Sequence, residues 1–107
     1  MIKRVILTHT IHAKMFRKPI SAVTVIQTNI EEIKFWIEEG FGFINAFGNL
    51  EKLPIVEKAL HRNIEYAPES VILEFGDMLL VPVIEEGHIL YWDKIVVFNP
   101  LKERPCI

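Results

Sequence analysis

The chain is 107 residues long and half of it is hydrophobic, so it has room for one domain around one core. A formal net charge of −2 excludes a general nucleic-acid coat, and the single cysteine, Cys106, excludes an intrachain disulfide framework and a cysteine-based zinc site. The longest apolar run, Met78 to Ile84, carries Pro82 and falls well short of the roughly eighteen residues that a membrane helix needs.

In chain order, Arg4 to Thr8 reads as a buried first strand, β-branched and almost continuously apolar. The start, Met1-Ile2-Lys3-Arg4, lacks an apolar signal segment, so a cytoplasmic protein is expected. His9 to Lys18 is polar and basic with Met15 and Phe16 inside it, and is expected to be a long ordered loop closed by Pro19. Lys3, Arg4, Lys14, Arg17 and Lys18 fall in the first twenty residues with no acid among them, which predicts a positive face. Ile20 to Gln27 follows as a second strand.

Thr28-Asn29-Ile30-Glu31 has capping-box spacing, with Thr28 and Glu31 expected to serve the first-turn N–H groups. The helix it opens runs to about Glu39, with Gly40 past its end and Ile30, Ile33 and Ile37 on one stripe. Phe41 to Asn45 is a short strand that feeds Ala46-Phe47-Gly48-Asn49, a glycine turn at the mouth of a second helix, where backbone N–H groups can face an anion. Pro54 suits the first turn of that helix, which buries Leu53, Val56, Ala59 and Leu60 and is expected to end near Arg62-Asn63.

Residues 64–70 connect to two strands, Val71–Phe75 and Met78–Ile84, read as a hairpin about Gly76-Asp77. Pro82 requires a bulge or an open side in the later strand. Glu85-Glu86-Gly87-His88 is a second turn, and Ile89 to Phe98 is the last strand, on which Tyr91 and Trp92 face opposite ways. Pro100 and Pro105 mark a tail, so the domain is residues 1–107, with 1–99 as its core and 100–107 as the tail. The fold class is α+β: a mixed, largely antiparallel sheet of five or six strands with two helices on one face. So much apolar residue in a small domain suggests burial between two copies, a homodimer.

No catalytic signature stands out: there is no P-loop, dinucleotide fingerprint, nucleophile elbow or zinc-protease motif. His9 and His12, three apart, can face one pocket but have no evident third ligand, so no metal site is expected. His61 lies late in a helix, where the dipole favours its charged form. His88 is expected in a solvated turn, and the Glu85-Glu86-Gly87 turn reads first as solvated too.

The order and spacing of four elements nevertheless resemble one family. They are Leu7-Thr8 ahead of the Thr-bearing strand Val23-Thr24-Val25; the capped helix leading into Ile44-Asn45-Ala46-Phe47-Gly48; Gly76-Asp77; and Ile84-Glu85-Glu86-Gly87. Across residues 4–90 the chain resembles the viral ring nucleases, small type III anti-CRISPR proteins of archaeal viruses. The resemblance implies an α+β homodimer that binds cyclic tetra-adenylate in the groove between subunits. It also implies cleavage without metal or other cofactor, by attack of a ribose 2′-hydroxyl on the adjacent phosphodiester. No duplex nucleic acid and no membrane are implied as partners.

Carried onto this chain, the resemblance implies ligand contacts from Thr8, His9, Thr10, Lys14, Asn45, Gly48 and Asn49, with Glu86 and His12 as catalytic residues. The chain departs from the family pattern where chemistry is concentrated. Asn49 stands at the position of the family's histidine, Val83-Ile84 where it has an arginine, and Ala67-Pro68 where an Asn-Arg pair is common. Asn49 can hydrogen-bond a phosphate but cannot donate a proton at neutral pH, which moves the expectation from catalyst toward binder. His12, at the place of a ligand-contacting serine, is the better substitute proton donor than His9. The expected function is binding of a cyclic oligoadenylate, degrading or sequestering it to counter type III CRISPR signalling. The alternative is a dimeric protein–protein interaction module with no nucleotide activity.

Overall fold

The computed structural model describes residues 2–18, 21–39 and 42–102. Pro19, Ile20, Gly40, Phe41, Pro105 and Cys106 lie outside them, and with them the expected loop closure, helix-ending glycine and second tail proline. The elements are β1 (Arg4–Thr8), β2 (Ala22–Thr28), α1 (Ile30–Glu39), β3 (Phe43–Ala46), α2 (Leu53–Leu60), β4 (Asp77–Glu85) and β5 (His88–Phe98). A single 3-10 turn, Ala13–Met15, sits in the loop after β1.

Five strands form one mixed sheet in the order β2-β5-β4-β1-β3. Strand β1 lies inside the sheet, next to the β3 edge, and pairs in parallel with both β3 and β4, while β5 pairs antiparallel with β2 and β4. The expected α+β class with two helices is therefore what the chain adopts. Val5, Ile6 and Leu7 have no exposed surface, as a strand covered on both faces requires. Each such side chain contributes about 1.5–3 kcal/mol of burial.

The period-two alternation of β1 divides its side chains between two cores. Val5 and Leu7 join Ile33, Ile37, Phe47, Val56, Leu60, Met78, Leu80 and Trp92 beneath the helices. Ile6 points the other way and meets Met15, Leu73, Leu79, Ile95 and Val97. Trp92 is core and Tyr91 half-buried, so the expected division of that pair is observed.

The second core is roofed by chain read as a strand hairpin in the sequence. Val71–Phe75 is no strand of the sheet and does not form a hairpin with β4. Its Leu73 makes an isolated bridge to Phe16, with the Leu73 N–H donating to the Met15 carbonyl at 2.8 Å. Both edges of β4 are already taken, by β1 and β5, so the upstream segment crosses over the sheet face instead. Gly76, at φ 96°, turns the chain from that roof into β4.

Local chemistry explains the remaining boundaries. The cap of α1 is Asn29, whose Oδ1 accepts the Glu32 N–H at 3.1 Å, one position on from the expected Thr28. Thr28 donates instead to the Glu32 carboxylate, which also accepts from Trp36 Nε1 at 3.0 Å and from Lys94. That four-residue knot ties α1 to β5. Helix α2 ends at His61, in the left-handed region at φ 54°, two residues before the expected Asn63. Pro82 lies past Leu80, the last β4 residue paired with β1, and just before an irregularity at Val83/Ile84, so its missing N–H faces an open side. Glu86 and Gly87, both at positive φ, make the tight turn of the β4–β5 hairpin as expected.

Candidate functional site

Because β1 and β3 run parallel with Thr8 beside Ala46, the residues that follow them emerge side by side at the carboxyl end of the sheet. In open sheets that edge is where ligands collect. Here it presents His9 and His12 from the loop after β1, and Phe47, Gly48, Asn49 and Lys52 from the turn before α2.

His9 is the hub. Its Nδ1 accepts the Gly48 N–H at 2.9 Å. Its ring meets Phe47 edge-on at 5.8 Å and His12 edge-on at 6.3 Å between centroids. A backbone amide can only donate, so Nδ1 must keep its lone pair and the neutral ring carries its proton on Nε2. Burial, then the nearby His12 and Lys52 charges, lower the His9 pKa from its ordinary 6.5. His12 is exposed beside it.

The glycine turn acts differently from its expected role as an open anion cradle, since its N–H is already given to His9. Gly48 is needed for close approach: a Cβ there would lie 2.8 Å from Pro68 Cα, 3.1 Å from the Ala67 carbonyl and 3.2 Å from His9 Cε1. The strand that feeds it is fixed by Asn45, which accepts the Phe47 N–H at 3.0 Å and donates to the Glu65 carbonyl at 2.6 Å. The Ala67 N–H then donates to the Phe47 carbonyl at 2.8 Å, docking 65–68 against the turn. Asn49 accepts the Lys52 N–H on its side-chain oxygen at 3.1 Å, and its carbonyl accepts from Leu53, so Asn49 holds the turn that leads into α2 and fixes the Lys52 backbone.

The other expected site residues fall into three groups. Thr8 is buried and its hydroxyl is spent on the Thr10 carbonyl at 3.0 Å, so it shapes the loop. Lys14 is exposed on the 3-10 turn, on the same loop as His9 and His12. Glu86 is elsewhere: it is exposed at the β4–β5 hairpin tip, and no hydrogen bond or ion pair among the described residues joins it to either histidine. Its neighbours Gly87 and His88 line a groove of about 600 Å³ against Pro54, Ile55, Lys58 and His61 of the α2 region. An open cavity of about 430 Å³, lined by Asn45 and residues 67–71, adjoins the Asn45 side of the turn.

Sequence reading missed Lys52 and Phe47. The available signal for Lys52 was the Asn49-x-x-Lys52 spacing immediately before Pro54, an Asx turn that fixes the lysine's backbone. Arg4, conversely, belongs to no basic face. It makes a two-pronged pair with buried Asp77, Nε to Oδ1 at 2.8 Å and Nη2 to Oδ2 at 2.5 Å, at the opposite end of β1. Among the described residues no three His, Cys, Asp or Glu side chains group as metal ligands, and no helix is long and apolar enough to cross a membrane.

The architecture places the chain among small α+β proteins with a five-stranded mixed sheet and two helices. A solved structure of that class, B116 of Sulfolobus turreted icosahedral virus (STIV), superposes with a TM-score of 0.65 at 19% sequence identity, covering 90% of this chain and 99% of that one. At that identity the likeness is one of fold. No protein-family model and no curated protein matches the chain.

Proposed function

We propose that this chain binds a cyclic oligoadenylate of the cyclic tetra-adenylate class as a homodimer, and counters type III CRISPR signalling by holding the nucleotide away from its receptors or degrading it. The observation that carries the reading is the carboxyl edge of β1 and β3. There two histidines and a lysine stand together, and no carboxylate ion-pairs with any of them among the described residues. That is chemistry suited to phosphodiesters. The sequence resemblance supplies the kind of phosphodiester, and the fold shared with a protein of an archaeal virus agrees with it.

Cleavage, where it occurs, is attack of a ribose 2′-hydroxyl on the neighbouring phosphorus. The 2′-hydroxyl gives up its proton to solvent, the P–O5′ bond breaks, a cyclic 2′,3′-phosphate forms, and the departing 5′ oxygen takes a proton. His12, exposed beside His9, is the donor in this scheme, a role worth about 10²–10⁴-fold. Glu86 reaches the ring only from the hairpin tip, which favours a groove completed by a second copy. Sequestration is the leading arm, because Asn49 supplies no acid.

A titration of cyclic oligoadenylates of different ring sizes against thermal unfolding tests the binding. At a hundred times Kd a ligand stabilises the fold by about 2.7 kcal/mol, a readily seen shift. Incubation with cyclic tetra-adenylate in EDTA then separates the arms: linear products lost in His12→Ala make the protein a nuclease, and tight binding without product makes it a sponge. No shift with any ring size sinks both.

One observation favours the alternative, a dimeric interaction module. Strand β2 is an edge strand with no charged residue, and its Val23 and Val25 are 40% and 56% exposed. Such an edge is a template for pairing with another chain. Light scattering on wild type and Val25→Lys reads it directly. A monomer that stays monomeric counts against this module and against the dimeric groove alike.

A further inference from the structure

The sharpest chemical asymmetry in the molecule lies between two neighbouring histidines. His9 is held on two sides, by the Gly48 N–H on Nδ1 and by the Phe47 ring edge-on, and the 67–68 backbone packs against Gly48 in turn. Its remaining polar atom, Nε2–H, is the one left to meet a ligand. Lys52 is anchored by the Asn49 turn that directly follows Gly48. After burial, His12 from its own loop and Lys52 from the turn before α2 are what disfavour a charge on His9. Phe47 and the Ala67-Pro68 backbone bring no formal charge.

From this geometry we propose that His9 and Lys52 form a two-point oxyanion subsite for a phosphate group, His9 as a neutral, tautomer-fixed Nε2–H donor and Lys52 as the charge. The inference rests on the anion-binding reading of the site and assigns its parts. A fixed neutral donor gives direction without adding desolvation cost, and a lysine on a turn gives attraction without demanding one geometry. Protonating His9 would place a proton on Nδ1 against the Gly48 N–H, so His9 is a positioning donor and does not shuttle protons.

Imidazole nitrogen NMR on the free 107-residue chain at pH 7.5 reads the tautomer. A His9 proton on Nε2 is expected, and one on Nδ1 overturns the assignment. Inorganic phosphate and cyclic tetra-adenylate are then titrated separately. Each is expected to shift the His9 Nε2–H resonance, and Lys52→Gln is expected to weaken each at least tenfold and flatten the salt dependence. His9→Gln, whose side-chain amide can place an N–H near Nε2, should bind within a few-fold of wild type, whereas His9→Phe should lose tenfold or more. Thermal melts of the four proteins separate lost binding from lost fold, and Lys52→Gln carries the test alone where His9→Phe does not fold. Phosphate acting on His9 without any cyclic oligoadenylate binding keeps the subsite and removes the nucleotide. Cyclic tetra-adenylate binding with His9 unmoved and Lys52→Gln unchanged keeps the nucleotide and removes the subsite. Neither ligand moving His9 removes both.

Discussion

The two ends of strand β1 carry charge in opposite ways. At its start, Arg4 grips Asp77, which has no exposed surface, and the same carboxylate accepts the Glu74 N–H at 2.8 Å while Arg4 also donates to the Ile72 carbonyl at 2.9 Å. Among the described residues no buried side-chain polar atom there lacks a hydrogen-bond partner. At its far end, five residues on, His9, His12 and Lys52 stand together without a carboxylate partner among the described residues. A paired buried charge specifies architecture, whereas polar and cationic groups without a partner in the chain are left for something else to meet. That is the physical difference between a staple and a site.

The largest effect should come from breaking the staple. Arg4→Ala leaves the Asp77 carboxylate buried and unpaired, which costs about 3 kcal/mol or more in urea unfolding. An unchanged midpoint would mean that the carboxylate finds another partner. Gly48→Ala tests the boundary between staple and site. Its new Cβ runs into the backbone of 67–68, and the expected cost is about 1–3 kcal/mol with loss of the His9 contact in NMR.

Lys94→Met probes the second staple, between β5 and α1. Burial raises the Glu32 pKa, but hydrogen bonds from Lys94, Thr28 and Trp36 outweigh it and hold the carboxyl at about 2, below its ordinary 4.5. A depressed carboxyl stabilises the fold above pH 4.5 and loses that contribution as pH falls from there through about 2. The Glu32 side chain is about a third exposed, so solvent screening reduces the effect. A loss of roughly 1–2 kcal/mol at pH 7, shrinking as the pH is lowered, is expected from denaturant titrations at several pH values.

The site residues should barely register on the same scale. His9 resists protonation in the fold, so its neutral form contributes stability that is complete above pH 6.5 and lost as pH falls below it through the folded value. Comparing unfolding at pH 7.5 and 5.5, wild type should lose more stability than His9→Gln does, and an equal loss would place the titration elsewhere. Smallest of all, Lys52→Gln should change stability by less than about 0.5 kcal/mol while weakening anion binding. A large destabilisation would make Lys52 a structural residue.

Much of the architecture was legible because it is written in local pattern. The apolar run Val5-Ile6-Leu7, the isoleucine stripe of α1, Pro54 at the head of α2 and the Glu86-Gly87 turn each state their conformation through periodicity or backbone preference. The tail of α2 was nearly legible, His61 taking the left-handed position expected at Asn63. What failed depended on partners far away in the chain. Val71–Phe75 has the composition of a strand, yet β1 and β5 had claimed both edges of β4, so it became a roof over Leu79 and Ile95.

The site divides the same way. The sequence by itself determined which groups are available: two histidines after a buried strand, a glycine-asparagine turn ahead of a helix, and no acid among the first twenty residues. Only the tertiary structure decided how they are used. Parallel pairing of β1 with β3 brings His9 onto the Gly48 N–H across 39 positions, which fixes its tautomer and closes the glycine as an anion cradle. Parallel pairing of β1 with β4 sends Arg4 to Asp77, across 73 positions, and out of the basic face. Hydrogen bonds and ion pairs need distance and angle, and strand pairing between segments distant in sequence sets both.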